Sequence, residues 1–196
     1  MKRKRGFRAS EKHEFLDIFK EFDVKLEAKR QRLEVTVVGG ASLILLGVRE
    51  RVTIDIDIAN RGGADLFCEL CKEREIPVDR ITVASTVDLI HCPTIKVFKG
   101  SSLTVLSVTP NDLIKLKLER FRKQDPEDIY AIIGHYSVSF DAFLHLVLEM
   151  LPDFIGNVRE VALSAQIVVE QVYPQHIAEF KAAMEKRLSL PVLHQP

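Results

Sequence analysis

Val37-Val38-Gly39-Gly40-Ala41-Ser42-Leu43-Ile44-Leu45-Leu46-Gly47-Val48-Arg49-Glu50-Arg51-Val52-Thr53-Ile54-Asp55-Ile56-Asp57-Ile58 carries a strand, a glycine turn, a helix and a second strand in succession. An apolar, β-branched strand over 33–38 runs into the Gly39-Gly40 pair. A short apolar helix from Ala41 follows, and then a second strand carrying Asp55 and Asp57. Side chains at i and i+2 of a strand point to one face. The two carboxylates therefore face one spot, with Ile54, Ile56 and Ile58 on the other side. Two like charges roughly 4 Å apart repel by a few kcal/mol at an effective dielectric of about 20. A cation between them turns that repulsion into binding, and an all-oxygen site suits Mg²⁺ or Mn²⁺.

Composition narrows the classes open to the chain. It has 196 residues, 46% hydrophobic and 29% charged, as expected of one globular domain or a domain with a helical appendage. Basic and acidic residues balance at 28 each, so any nucleic-acid contact must come from a local patch rather than a global field. No apolar run approaches a membrane span, and the basic start Met1-Lys2-Arg3-Lys4-Arg5 leads into no signal-type apolar region. Cys68, Cys71 and Cys92 form an odd set with no disulfide framework, so a reduced, cytoplasmic protein is expected. Cys68-x-x-Cys71 lacks a second pair at zinc spacing.

Element signals organise the rest. Ser10 is a good N-cap for a helix to about Arg30, with Phe15, Phe19, Phe22 and Leu26 stepping along one face. Strands are expected over 33–38 and 52–58, a helix over 65–75, then a strand at 81–84 or 87–90, and strands at 94–97 and 103–108. Thr109-Pro110-Asn111-Asp112 and Asp125-Pro126-Glu127-Asp128 both read as helix starts. Further helices are expected over 139–150 and 157–188, the last interrupted near Tyr173-Pro174. The fold class is therefore α+β: a mixed sheet with flanking helices over 1–108, then a helical region over 109–196.

With these elements placed, the sequence resembles a known superfamily. Gly39-Gly40 followed by Arg51-x-Thr53-x-Asp55-x-Asp57 is similar to the signature of the polymerase-β-like nucleotidyltransferase fold. The nearest resemblance is to the bacterial branch that includes AbiEii/MenT-type toxins. A second stretch, Lys117-Leu118-x-Arg120-x-Arg122-x-x-Asp125-x-x-Asp128, is similar to that branch's helical motif, though Gln124 stands where an arginine often precedes the first of these aspartates.

The resemblance implies metal-dependent transfer of a nucleotidyl group from a nucleoside triphosphate to an acceptor. Asp55 and Asp57 would hold Mg²⁺, while Gly39, Gly40, Arg51 and Thr53 would meet the nucleotide. The superfamily usually adds a third carboxylate from a neighbouring strand. Asp88, within the strand-like Val87-Asp88-Leu89-Ile90, is the first candidate for a catalytic and metal-binding role, and Asp79 is its rival. Lys117 is expected to reach the triphosphate as a point charge. Arg120 is expected to serve a phosphate or to brace Asp125 or Asp128. Partners implied are a nucleoside triphosphate, a transfer RNA or protein acceptor, and an antitoxin, with no membrane.

Each feature also has a plainer explanation. A Gly-Gly pair can be a tight turn, an Asp-x-Asp pair a solvated strand edge, and a basic helix a solvated face. The competing functional class is a non-catalytic member of the same fold that binds nucleotide or a partner protein. The position of the third carboxylate separates the two.

Overall fold

The computed structural model describes residues 7–50, 52–82, 84 and 86–189. The fold is α+β, as the element order predicts: a five-stranded mixed sheet with flanking helices, then a run of C-terminal helices. Two compact units divide the described residues. One holds the chain up to Ala84 together with Asp88–Thr109, and the other holds Thr86, Val87 and the helices from Pro110 onward.

In the first unit, helix α1 (Lys12–Ala28) precedes strand β1 (Leu33–Val37), helix α2 (Gly39–Leu45), strand β2 (Ile56–Ala59) and helix α3 (Ala64–Glu73). Strands β3 (Val78–Ile81), β4 (Thr94–Lys99) and β5 (Leu103–Val108) complete the sheet, in the order β3-β2-β1-β5-β4. β1 runs parallel to β5 and antiparallel to β2, while β2 runs parallel to β3. The Phe15–Leu26 stripe of α1 is buried, as its spacing predicts. Phe19 and Phe22 meet Phe67 of α3 at ring distances of 6.5 and 5.9 Å, and Phe19 meets Phe98 of β4 at 5.7 Å. Such aromatic clusters bury the largest apolar areas in a core and lock α1 and α3 to one face of the sheet.

The structure departs from the sequence reading at three places in this unit. α1 starts one residue late, at an Glu11 N-cap, because the Glu14 carboxylate accepts the backbone N–H groups of both Ser10 (2.6 Å) and Glu11 (2.9 Å). The second strand is shorter than 52–58. Thr53 instead exchanges backbone hydrogen bonds with Ala9 at 2.8 and 3.0 Å, so the chain before Asp55 is held by the N-terminal segment rather than by the sheet. The third strand lies at Val78–Ile81, and residues 87–90 are not a strand. The Asp88 carbonyl accepts from Cys92 N–H (2.7 Å) and His91 N–H (3.2 Å), which closes a turn there.

The second unit packs α4 (Pro110–Arg120), α5 (Asp125–Tyr136), α6 (Phe140–Met150), α7 (Val158–Val172) and α8 (Ile177–Ser189). The Ser139 hydroxyl accepts from Ala142 N–H at 3.2 Å and the Asn157 side chain from Arg159 N–H at 3.1 Å, so both N-termini are capped by side chains. A 3-10 turn at Pro174–His176 separates α7 from α8, because a proline lacks the N–H that would continue the ladder. On α4 the buried residues are Leu113, Ile114, Lys117 and Leu118. Leu116 is only partly buried, and Lys117 takes an inward position. The helical period explains this: 117 falls on the same face as 113 and 114. Among the described residues, no helix is long and apolar enough to cross a membrane.

Candidate metal and nucleotide site

β2 and β3 run parallel with Asp57 directly beside Asp79, so both side chains stand on one face of the sheet. Asp55 lies one residue before β2. The buried Thr53 hydroxyl donates to its carboxylate at 3.0 Å and to its carbonyl at 3.2 Å. Thr53 is thus a residue that orients Asp55, and its backbone is itself pinned by Ala9. One carboxylate oxygen from each of Asp55, Asp57 and Asp79 lies within 4.8 Å of the others. Among the described residues this is the one His, Cys, Asp or Glu group spaced to hold a metal ion. Around an octahedral ion with bonds of about 2.1 Å, oxygens sit about 3 Å apart when adjacent and about 4.2 Å when opposite. Small side-chain rotations therefore bring the three oxygens onto one hard cation, and the all-carboxylate donor set fits Mg²⁺ or Mn²⁺.

Gly39 explains why the turn after β1 needs glycine. Its φ is +63°, in the left-handed region, and a Cβ built there would lie 2.1 Å from Oδ2 of Asp57. The backbone thus touches the carboxylate directly, which no other residue type permits. Gly39→Ala is expected to push Asp57 out of register with Asp79, and the positive φ adds a conformational cost of about 1–2 kcal/mol. A melting curve together with a Mn²⁺ titration checks this; a drop in Mn²⁺ affinity well beyond the loss in stability is the expected result.

The third carboxylate is where sequence and structure part. Asp88 is not in the group. Its side chain accepts from its own turn, from Ile90 N–H (2.9 Å) and His91 N–H (3.2 Å), and pairs with His91 Nδ1 at 2.7 Å. The His91 ring and these N–H groups hold the Asp88 carboxyl below its ordinary value. Asp79 takes the place instead, because strand pairing rather than sequence distance sets which residue lies beside Asp57. Arg51 lies outside the described residues, and Gly40 sits in the first turn of α2.

Lys117 and Arg120 belong to a network inside the helical unit. The Lys117 ammonium is bonded to Asp125 (3.1 Å) and Asp128 (2.6 Å), with all three side chains no more than 2% exposed. Arg120 grips Asp125 with Nε and a terminal nitrogen at 3.0 Å, and Arg122 N–H adds a contact at 2.7 Å. Burial pushes the Asp125 carboxyl up, but the Arg120 hydrogen bond, the Lys117 charge and the Arg122 N–H together hold it below its ordinary value. Lys117, expected at the triphosphate, is thus the buried brace, and Arg120 is the more exposed cation. Burial pushes the Cys71 thiol up to about 12, which keeps it protonated.

Residues 13–171 match a protein family described as a nucleotidyltransferase of unknown function (DUF6036). The chain belongs to this family. Comparison with curated proteins and with solved structures finds no match. The family's extent includes the Gly39-Gly40 turn, all three aspartates of the site and the Lys117–Asp125–Asp128 network.

Proposed function

We propose that the protein transfers a nucleotidyl group from a nucleoside triphosphate to an RNA or protein acceptor, with Mg²⁺ or Mn²⁺ held by Asp55, Asp57 and Asp79. The observation that carries this reading is the convergence of three carboxylates from two neighbouring chain segments, β2 with its entry and β3, in a member of a nucleotidyltransferase family. Three negative charges on one sheet face cost stability, and a structural role alone gives no return for them.

A divalent ion at this site would neutralise phosphate charge as the pyrophosphate leaves. The chain's own residues prepare the place. Thr53 fixes the Asp55 rotamer, strand pairing fixes Asp57 against Asp79, and the bare Gly39 backbone leaves room for the Asp57 carboxylate. Asp79, the most exposed of the three, is the one open to an acceptor hydroxyl. Asp88 turns away, the outcome expected of the non-catalytic alternative, but its rival Asp79 stands in the third position, and this supports the enzyme.

The test is incubation with each labelled nucleoside triphosphate, Mg²⁺ or Mn²⁺, and total RNA. Label appearing in RNA or in protein only when the divalent ion is present is the expected outcome. Metal-dependent nucleotide binding with no transfer would make this a binding protein. The narrower AbiEii/MenT-like reading, with an antitoxin partner, draws support from the Lys117–Asp128 motif. It predicts growth arrest on expression of the wild type and none with Asp57→Asn.

A further inference from the structure

Arg61 stands outside every motif considered above. It follows β2 by two residues, and its guanidinium donates from one terminal nitrogen to the Ile90 carbonyl at 2.8 Å and from the other to the Thr36 hydroxyl. Both acceptors are neutral. Among the described residues Arg61 has no carboxylate partner, although three carboxylates gather on the same sheet.

The strand register places this cation relative to them. Val37 of β1 lies opposite Ile58 of β2, so Thr36 lies opposite Ala59. Ala59 and Asp57, two residues apart on β2, share a face, and Asp79 stands beside Asp57 on that face. Thr36 is thus a diagonal neighbour of Asp57, about 7–8 Å away on the same side of the sheet. The guanidinium that caps Thr36 is held on the face that carries the three aspartates.

We propose that Arg61 is a substrate-binding residue that holds a phosphate group of the ligand bound at Asp55, Asp57 and Asp79; this rests on the nucleotidyltransferase reading above. A guanidinium carries five N–H donors in a planar fork that matches phosphate oxygens. The contacts to Ile90 and Thr36 use two of its nitrogens and leave donors over. They also fix the side chain in advance, so little rotamer freedom remains to be lost on binding. Once the carboxylates are neutralised by a cation, the fixed charge of Arg61 is the complement an anionic substrate needs on this face.

Calorimetry tests this with wild type, Arg61→Ala and Arg61→Lys. Each is titrated with Mg²⁺ and each nucleoside triphosphate, and separately with a single-stranded oligoribonucleotide, at several salt concentrations. Arg61→Ala is expected to weaken binding by about tenfold to a hundredfold, the range of a charge-assisted hydrogen-bonded contact. It should also flatten the salt dependence, and Arg61→Lys should recover part of both. Mn²⁺ affinity in the absence of nucleotide should hold or tighten slightly, since a nearby positive charge is gone. Loss confined to the triphosphate assigns the phosphate to the nucleotide, and loss confined to the oligoribonucleotide assigns it to the acceptor. Should Arg61→Ala not fold, Arg61→Gln, which keeps a donor for the Ile90 carbonyl, gives the same comparison. A lowered melting temperature with unchanged affinities and salt slopes would overturn the proposal and leave Arg61 as a tie between β1 and the turn at Ile90. Wild type that binds neither probe would instead overturn the nucleotidyltransferase reading, and this proposal with it.

Discussion

Asp57→Asn is expected to remove nucleotidyl transfer by at least about a thousandfold while leaving the melting temperature unchanged or slightly raised. The loss follows from the several kcal/mol of charge stabilisation that a coordinated ion supplies, each 1.4 kcal/mol of which is about tenfold in rate. The preserved stability follows from electrostatics: in the metal-free protein, Asp57 shares a face with Asp79 and lies near Asp55, so removing its charge relieves repulsion. Asparagine keeps the shape and leaves the Gly39 contact intact. The measurement pairs label transfer with thermal unfolding in a chelating buffer. A large fall in melting temperature without metal would move Asp57 to a structural role.

Lys117→Met should be the most destabilising of the substitutions considered, by about 3–5 kcal/mol, because it strands Asp125 and Asp128 in the interior without their ammonium. Arg120→Ala should cost less, since the Arg120 side chain is 45% exposed and Lys117 remains to neutralise Asp125. The network also sets an acid dependence. The folded-state Asp125 carboxyl is held below its ordinary value, so its contribution is fully present above the unfolded pKa of about 3.9 and is lost as pH falls through the lower folded value. Wild type should therefore lose stability below about pH 4. The deficit of Lys117→Met should narrow as pH falls, starting above that window, because burial without the ammonium raises the Asp125 carboxyl and its protonation removes the stranded charge. Urea unfolding of both proteins at pH 7 and in acid checks the sign. Equal deficits at both pH values would mean that packing of the lysine stem, not charge, is what the substitution removes.

Local chemistry in the sequence determined much of this protein. The Phe15–Leu26 stripe, the proline and Ser139 helix starts, the break at Tyr173-Pro174 and the strand at Leu103–Val108 each follow from near neighbours in the chain. The closeness of the Asp55 and Asp57 carboxylates likewise follows from their two-residue spacing; Ile56 and Ile58 are buried as the alternation predicts, whereas Ile54, expected beside them, is exposed because the chain before β2 lies outside the sheet. The α+β class follows from these elements in their order.

The rest was decided in the folded chain, mostly by pairing between separate elements. Asp79 became the third carboxylate because β3 pairs in register with β2, whereas Asp88 was captured by its own turn and His91. Lys117 turned inward because the α4 face at 113, 114 and 117 meets α5, where Asp125 and Asp128 await it; a lysine in a helix sequence carries no sign that acids will be buried opposite. Arg61 gave no motif at all, since its meaning lies in Thr36 and Ile90, which only the folded sheet brings to it. Periodicity and spacing report what one element does by itself, but charge pairing across elements depends on register, and register is set by the packed sheet.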